Sequence, residues 1–323
     1  MTPDEWLKTR TFHHSRFSSL EKLAERKKAL GYSISVGIPT LNEEETIGAE
    51  VRMIREALIE RHGLVDEIVV VDSGSTDRTR GEAVSNGAFF FTAADILPRE
   101  TPAMGKGENL WKSLYVTKGD LVVWLDADIK NIAPKFVYGL LGPLLEDDKI
   151  GYVKAFYNRP LRTGTQVRPS GGGRVTEILI RPLLSLCYPE LAYIMQPLSG
   201  EYAGRRTVLE NLPFSIGYGV EIGHLLDLFA QHGLDVFAQV DLDMRIHRNR
   251  TIQELGRMSF GILQTFLDKA NRQNRLSTLR ELEPAMIQFQ MSGDAYIPLR
   301  TVSKDIQRPP IATLDSYREK RNL

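Results

Sequence analysis

Cysteine is almost absent from this chain, and its scarcity narrows the chemistry available. Cys187 is the one cysteine among 323 residues. A single thiol cannot form an intrachain disulfide, nor can it supply a cysteine-rich zinc site. The sequence therefore excludes a disulfide framework and a cysteine-based metal centre.

Long hydrophobic runs and an excess of one charge are also missing. No stretch of about 18 apolar residues occurs, so we expect no transmembrane helix. The segment Met1-Thr-Pro-Asp-Glu-Trp lacks the basic and apolar regions of a signal peptide. The formal net charge is +0, so no overall field favours nucleic acid or an acidic membrane. These absences predict a cytoplasmic protein with neither nucleic acid nor a membrane as partner.

Alternating strand and helix patterns fill the first half of the chain. Strands are predicted at 33–38, 67–71, 88–91 and 121–125, and helices at 43–58, 79–86 and 107–117. The alternation predicts an α/β fold with a parallel sheet of nucleotide-binding type.

The second half has a different pattern. Its predicted elements are strands at 152–157 and 236–246, helices at 175–187, 221–232 and 251–271, and a glycine-rich loop at 159–173. We therefore divide the chain into a helical lead-in (1–32), a nucleotide-sugar-binding half (33–150), an acceptor-binding and metal-completing part (151–275) and a C-terminal arm (276–323). The prolines after residue 293 indicate an arm that wraps the protein or is partly disordered.

Two carboxylates end the most apolar predicted strand. Asp126 and Asp128 follow Leu121–Leu125, at the edge where open α/β sheets bind ligands. Hard oxygen ligands suit Mg²⁺ or Mn²⁺ carrying a diphosphate. The alternative interpretation is an ordinary polar turn.

Two further polar corners follow strands. Pro39–Glu43 follows the first strand and Asp72–Asp77 the second, so parallel pairing brings both corners beside the aspartate pair. Asp72 can accept a hydrogen bond from a base or ribose. A capped turn explains either corner alone.

Three other sites favour anions or polar substrates. Lys106 lies between two glycines before a helix, where an ammonium can approach a phosphate, although a solvated helix start is the alternative. Gly171–Gly173 with Arg174 and Thr176 forms a second candidate anion site, or a plain hinge. Glu221 can orient a hydroxyl or act as an ordinary first-turn carboxylate.

These segments resemble the retaining glucosyl-3-phosphoglycerate and mannosyl-3-phosphoglycerate synthases, which are GT-A glycosyltransferases. The nucleotide corners that carry the resemblance are Pro39-Thr-Leu-Asn-Glu-Glu, Val71-Asp-Ser-Gly-Ser-Thr-Asp77 and Asp126-Ala-Asp128. The narrower likeness comes from Gly105-Lys-Gly-Glu108, Gly171-Gly-Gly-Arg-Val-Thr-Glu177, Pro197-Leu-Ser-Gly-Glu-Tyr202, Gly217-Tyr-Gly-Val-Glu-Ile-Gly223 and His247-Arg-Asn-Arg250. The resemblance implies a Rossmann-like GT-A sheet with a C-terminal acceptor-binding α/β part.

The resemblance also implies roles for residues. Asp128 and His247 would bind a divalent metal, Mg²⁺ or Mn²⁺, with Asp126 on the ribose or a metal-bound water. The implied catalytic residues are Glu221, Lys106 and Asp128. The implied nucleotide-sugar-binding residues are Pro39, Leu41, Glu43, Asp72, Ser73, Lys106, Asp126, Ala127 and Gly200. The implied acceptor-binding residues are Gly173, Arg174, Val175, Thr176 and Asn249.

The expected reaction moves glucose from a nucleoside diphosphate to the 2-hydroxyl of D-3-phosphoglycerate with retention. No carboxylate is clearly placed as a nucleophile, so a same-face mechanism is favoured over double displacement. Mannosyl transfer from GDP-mannose is the alternative, and the base of the donor stays open. Other classes considered are a sugar-1-phosphate nucleotidyltransferase, whose glycine-rich first loop is missing here, and a non-catalytic sugar-nucleotide sensor. The family likeness also implies a homodimer.

Overall fold

A computed structural model describes residues 1–159, 161–163, 166–168, 173–246, 251–277, 284–292, 295–302 and 306–323. The strands are β1 (Thr11–His13), β2 (Ile34–Thr40), β3 (Glu67–Asp72), β4 (Phe89–Thr92), β5 (Leu121–Trp124), β6 (Tyr152–Asn158), β7 (Leu161–Thr163), β8 (Gln166–Arg168), β9 (Tyr202–Arg205), β10 (Phe214–Ser215), β11 (Phe237–Met244), β12 (Ala285–Ser292), β13 (Ala295–Val302) and β14 (Gln307–Arg308).

The α-helices are α1 (Pro3–Thr9), α2 (Leu20–Leu30), α3 (Ile47–Ile54), α4 (Thr79–Ser85), α5 (Lys106–Val116), α6 (Lys135–Glu146), α7 (Arg181–Cys187), α8 (Arg206–Leu209), α9 (Val220–His232), α10 (Ile252–Arg272) and α11 (Asp315–Arg321). Two π-helical turns, Arg55–Glu60 and Thr176–Ile180, extend α3 and precede α7. Short 3₁₀ turns lie at His14–Phe17, Ala93–Asp95, Leu191–Tyr193, Leu234–Val236 and Ile311–Thr313.

Eight of the described strands form one mixed sheet in the order β1-β11-β6-β9-β5-β2-β3-β4. All neighbours pair in parallel except β9, which runs antiparallel to both β5 and β6. The parallel strands therefore end at one edge of the sheet, and β9 begins there.

Helices cover both faces of this sheet, which explains the continuous apolar runs in its strands. Along β5 the side chains alternate between two hydrophobic clusters, because successive strand residues point to opposite faces. Leu121 and Val123 lie in the cluster that contains residues of α3 and α6, whereas Val122 and Trp124 lie in the cluster with α5 and α9. The end of β5 is therefore packed on both faces.

The structure departs from the predicted fold in three places. Residues 1–32 were expected to be a helical lead-in, but Thr11–His13 is an edge strand that pairs with β11. The strand β9 was not predicted, so the sheet is mixed rather than purely parallel. Helix α6 was also not predicted, although ten of its residues are buried.

The described part of the C-terminal region returns to the first half of the chain. Strand β14 pairs with β10, and Trp111 of α5 donates from Nε1 to the Pro309 carbonyl at 2.9 Å. Strands β12 and β13 form a hairpin. Tyr317 of α11 is buried and donates to Glu210. Within the described residues, no helix combines the length and apolarity needed to cross a membrane.

Candidate active site

A cavity of about 650 Å³ lies at the edge where the parallel strands end. The first strand corner contributes Pro39, Leu41 and Glu43, and the second contributes Ser73. The remaining predicted site residues that line it are Lys106, Asp126, Ala127, Asp128, Gly173, Arg174, Val175, Thr176, Gly200 and Glu221. The structure thus brings the predicted donor and acceptor segments together around one space.

The first two corners are joined by hydrogen bonds. Asn42 has a φ of 56° and donates its backbone N–H to Ser75 Oγ at 2.7 Å. Its side-chain oxygen accepts from the Thr76 backbone at 2.9 Å. Asn tolerates the left-handed conformation better than most residues, so it can close this turn. The corner is therefore fixed before any ligand binds.

Asp72 is used inside its own corner. Its carboxylate accepts from the backbones of Gly74 and Ser75 at 2.8 and 2.7 Å, and from the hydroxyls of Thr40 and Ser75 at 2.8 and 2.5 Å. Asp72 is buried and is not among the residues that line the cavity. Its predicted contact with base or ribose stays a prediction, and its visible role is to organise the turn.

The turn that carries the aspartate pair rests on α3 and the residue before it. Thr46 Oγ1 donates to the Ala127 carbonyl at 2.5 Å, and the Ile129 N–H donates to Glu50 Oε1 at 2.9 Å. Glu50 is fully buried, and burial raises its pKa well above the ordinary value. These contacts hold Asp126 and Asp128 in place from below, which preorganises the site.

Lys106 joins two carboxylates of the cavity. Its Nζ lies 2.5 Å from Asp126 Oδ1 and 2.6 Å from Glu221 Oε1. Burial opposes the charged ammonium, but the two carboxylates outweigh it and raise the pKa of Lys106. The neighbouring Gly107 is needed for packing, since a Cβ there would lie 1.8 Å from the Ser215 carbonyl oxygen. Lys106 is therefore a permanent cation at the start of α5.

Arg245, which sequence reasoning did not assign, is the centre of the charge network. Its Nη2 lies 3.1 Å from Asp126 Oδ2 and 2.6 Å from Asp128 Oδ1, and its Nε lies 2.8 Å from Glu201 Oε1. The side chain is almost wholly buried, and although burial opposes the charge, Glu201 and the other anions raise its pKa. The pKa of Asp126 is lowered, because Lys106 and then Arg245 outweigh its burial.

A second buried cation supports the loop before β9. Lys154 Nζ donates to the Ser199 carbonyl at 2.5 Å, and burial lowers the pKa of this lysine to about 7. The next residue, Gly200, packs on the aspartate pair, since a Cβ there would lie 2.1 Å from Asp126 Oδ2. Sequence reasoning missed Lys154, and the signal that could have found it is a lone lysine within the largely apolar β6.

The acceptor side is described in part. Gly173, Arg174, Val175 and Thr176 line the cavity, together with Arg159, which had no predicted role. Gly173 has a φ of 77°, which suits glycine. The predicted metal ligand His247, the predicted acceptor residue Asn249 and the glycines 171–172 lie outside the described residues.

The donor set fits a hard divalent cation. Asp126 and Asp128 lie in the loop after β5 and line the cavity. Both carboxylates accept a hydrogen bond from Nη2 of Arg245. Two carboxylates that reach one nitrogen can reach one ion, and oxygen ligands suit Mg²⁺ or Mn²⁺. With the nearby Lys106 ammonium, such a site can hold a diphosphate.

Fold and site together define a nucleotide-sugar-dependent transferase, and comparison with known proteins agrees. The family model for glycosyl transferase family 2 matches residues 35–213. A glucosyl-3-phosphoglycerate synthase of Petrotoga mobilis is 48% identical over 96% of both chains. One from Mycobacterium tuberculosis is 50% identical over 74% of both chains. The chain therefore belongs to the glucosyl-3-phosphoglycerate synthase family, within glycosyl transferase family 2.

Solved structures extend the match to three dimensions. Mannosyl-3-phosphoglycerate synthase from Rubrobacter xylanophilus superposes with a TM-score of 0.88 at 37% identity, covering 96% of this chain and 97% of that one. Glucosyl-3-phosphoglycerate synthase from Mycobacterium tuberculosis, in complex with Mn²⁺, UDP and phosphoglyceric acid, gives 0.80 at 42% identity, covering 91% and 94%. The predicted GT-A-type fold is confirmed.

Proposed function

We propose that this protein transfers glucose from a nucleoside diphosphate to the 2-hydroxyl of D-3-phosphoglycerate. One observation carries the proposal: a single cavity is lined both by Lys106, Asp126 and Asp128 and by Arg174 and Thr176. A sugar nucleotide and a phosphorylated acceptor need two such anion-binding regions. The family relationship supports the choice of both substrates.

The donor side neutralises the leaving diphosphate. Lys106 is held charged by two carboxylates, so its ammonium is available to a phosphate oxygen without a protonation step. A bound Mg²⁺ or Mn²⁺ would add Lewis-acid stabilisation of the same leaving group, with Asp128 and the predicted His247 as its protein ligands. Arg245 contacts both Asp126 and Asp128 and orients the two carboxylates.

The acceptor side positions the incoming hydroxyl. The backbone at Gly173 and the guanidinium of Arg174 suit the phosphate or carboxylate of the acceptor, and Thr176 can donate to it. Asn249 is expected to complete this region. Glu221 lines the same cavity and can orient the acceptor hydroxyl, because its carboxylate is held 2.6 Å from Lys106 Nζ.

Transfer on the same face of the sugar explains retention best. Asp126 and Glu221 are both engaged by Lys106, and Asp128 by Arg245, so these three carboxylates serve as partners of cations rather than as nucleophiles. The acceptor proton would then pass to the leaving phosphate oxygen as the new bond forms. Mass spectrometry of enzyme quenched during turnover checks this proposal, since a glucosyl adduct on any carboxylate contradicts it.

A donor panel tests the reaction itself. UDP-glucose, GDP-glucose and GDP-mannose are each incubated with 3-phosphoglycerate, with Mg²⁺, Mn²⁺ or EDTA, and products are followed by mass spectrometry. We expect glucosyl-3-phosphoglycerate in the metal-containing reactions and none with Asp128→Ala. Donor hydrolysis without transfer, pyrophosphate release, or donor binding without turnover would each reject the proposal.

Mannosyl transfer is the second candidate, because mannosyl-3-phosphoglycerate synthase from Rubrobacter xylanophilus superposes on this chain with a TM-score of 0.88. Competition between UDP-glucose and GDP-mannose at equal concentration separates the two activities. A ratio of kcat/KM above one for the glucosyl donor supports the first proposal.

Assembly and location are also proposed. We infer from the family likeness that the protein is a homodimer. We infer from the sequence that it is located in the cytoplasm. Light scattering after size exclusion checks the dimer, and a mass equal to one chain of 36.5 kDa contradicts it. Fractionation of cells checks the location.

A further inference from the structure

Two histidines and an aspartate meet outside the active cavity, where β1 and β11 pair at the edge of the sheet. His13 Nε2 lies 2.9 Å from Asp243 Oδ1, and His14 Nε2 lies 2.6 Å from Asp243 Oδ2. One nitrogen from each ring and one carboxylate oxygen all lie within 4.8 Å of one another. Both ring nitrogens thus converge on a single carboxylate.

Hydroxyl groups orient both rings from the opposite side. His13 Nδ1 lies 2.7 Å from Ser15 Oγ, and His14 Nδ1 lies 2.9 Å from the Tyr138 hydroxyl. The Ser15 backbone N–H donates to His13 Nδ1 at 3.3 Å, so this ring nitrogen accepts while Nε2 faces the carboxylate. Binding of a metal requires the ring proton to move to Nδ1, where the hydroxyl oxygens of Ser15 and Tyr138 can accept it and leave each Nε2 lone pair to the ion. Supporting contacts of this kind accompany histidine ligands in metal sites.

The backbone of β11 is distorted to present this carboxylate. Asp243 has a φ of 65°, and the register with β6 shifts between Asp241 and Met244. The Asp243 N–H donates to Asp241 Oδ1 at 2.9 Å. A β-bulge commonly re-aims a side chain, and backbone strain tends to collect at functional positions.

We propose that His13, His14 and Asp243 form a binding site for a zinc-class transition metal ion, separate from the Mg²⁺ or Mn²⁺ site of the active cavity. Two imidazoles and one carboxylate are a common zinc donor set, with water as the fourth ligand. The bound ion would tie the edge strand β1 to β11, the strand that leads to Arg245 of the active cavity. Its role is therefore structural rather than catalytic.

Lys135 competes with a metal ion for the same carboxylate. Its Nζ lies 2.5 Å from Asp243 Oδ2. A bound ion must displace this ammonium. Removing the ammonium should therefore tighten zinc binding.

Zinc titration calorimetry on the full chain tests the proposal, with saturating Mg²⁺ and UDP to fill the active cavity. We expect one zinc ion per chain in the wild type. The affinity should fall at least about 100-fold in His14→Ala and in Asp243→Asn, as for the loss of a ligand. His232→Ala removes an exposed histidine elsewhere and should bind zinc as the wild type does.

The variant Lys135→Met distinguishes two interpretations of these residues, a metal site and a cluster of ion pairs. A metal site predicts zinc affinity at least about tenfold tighter in this variant, whereas a cluster held only by ion pairs predicts no gain. Co²⁺ bound to the same variant should show the strong visible absorption of a four-coordinate ion. Circular dichroism verifies that each variant is folded. Equal zinc binding by wild type and a folded His13→Ala/His14→Ala double variant would overturn the proposal.

Discussion

The corners at the ends of β3 and β5 both carry an aspartate directly after an apolar run, but they use it in opposite ways. The Asp72 carboxylate accepts four hydrogen bonds, three from residues of its own turn and one from Thr40 beside it. Asp126 instead turns its carboxylate towards the cavity, where Lys106 and Arg245 neutralise it. An aspartate that follows a parallel strand is thus either an organiser or a ligand, and its partners decide which.

The largest expected effect is a loss of activity when the corner after β5 is altered. Asp128→Ala removes a predicted metal ligand and a partner of Arg245. We expect kcat to fall by about 10³-fold, the scale on which lost electrostatic stabilisation acts. Steady-state kinetics with UDP-glucose measure it. A kcat within tenfold of the wild type would place the metal elsewhere.

Altering the corner at the end of β3 should instead lower the stability of the folded protein. Asp72→Ala leaves the backbone N–H groups of Gly74 and Ser75 and the hydroxyls of Thr40 and Ser75 without their acceptor. We expect the free energy of unfolding to fall by about 2–4 kcal/mol. Urea denaturation measures it, with Asp128→Ala as the matched control, because Arg245 keeps Asp126 and Glu201 as partners in that variant. If the control loses as much stability as Asp72→Ala, the two corners do not differ in the way described.

Gly200→Ala tests how closely the ligand corner is packed. The added Cβ would lie 2.1 Å from Asp126 Oδ2, so the carboxylate or the loop before β9 must move. A shift of about 1 Å near reacting groups can cost about 100-fold in rate, and we expect kcat to fall by that amount. Gly217→Ala adds a methyl at the same cavity with no atom within 4 Å. Equal kcat for both variants would show that the contact is not needed.

The smallest effect, taken over a single pH unit, is a pH dependence of stability from Lys154. Burial lowers its pKa to about 7 in the folded protein, against about 10.4 in the unfolded chain. Between these values the unfolded state binds the extra proton, so this group makes the protein more stable as pH rises, by up to about 1.4 kcal/mol per unit. Below about pH 7 the cost of burying the charge is fully present.

Comparison with Lys154→Met isolates this contribution. Because methionine does not titrate, the stability of the wild type relative to the variant should rise with pH over that window. Urea denaturation at several pH values measures both proteins. A difference that stays constant with pH would show that Lys154 keeps an ordinary pKa.

Sequence reasoning located the parallel strands and their corners because both depend on local pattern. Asp126, Asp128 and Lys106 lie at element ends that periodicity alone predicts, and the structure places all three in the cavity. The strand β9 could not be found in this way, since its pairing with β5 and β6 joins residues far apart in sequence. Arg245 was missed for the same reason: a single arginine after a strand becomes informative only when its partners are known.

The helix that begins at Lys106 has a consequence for synthesis on the ribosome. Glu108, in its first turn, is fully buried and paired with Arg308, which lies 200 residues later in the chain. Translation at about 5–20 residues per second separates the two by roughly 10–40 seconds. Lys112 lies 3.2 Å from the same carboxylate and is its first available counter-ion. The nucleotide-binding half therefore emerges early, but the buried carboxylate of Glu108 lacks Arg308 until the arm has been synthesised.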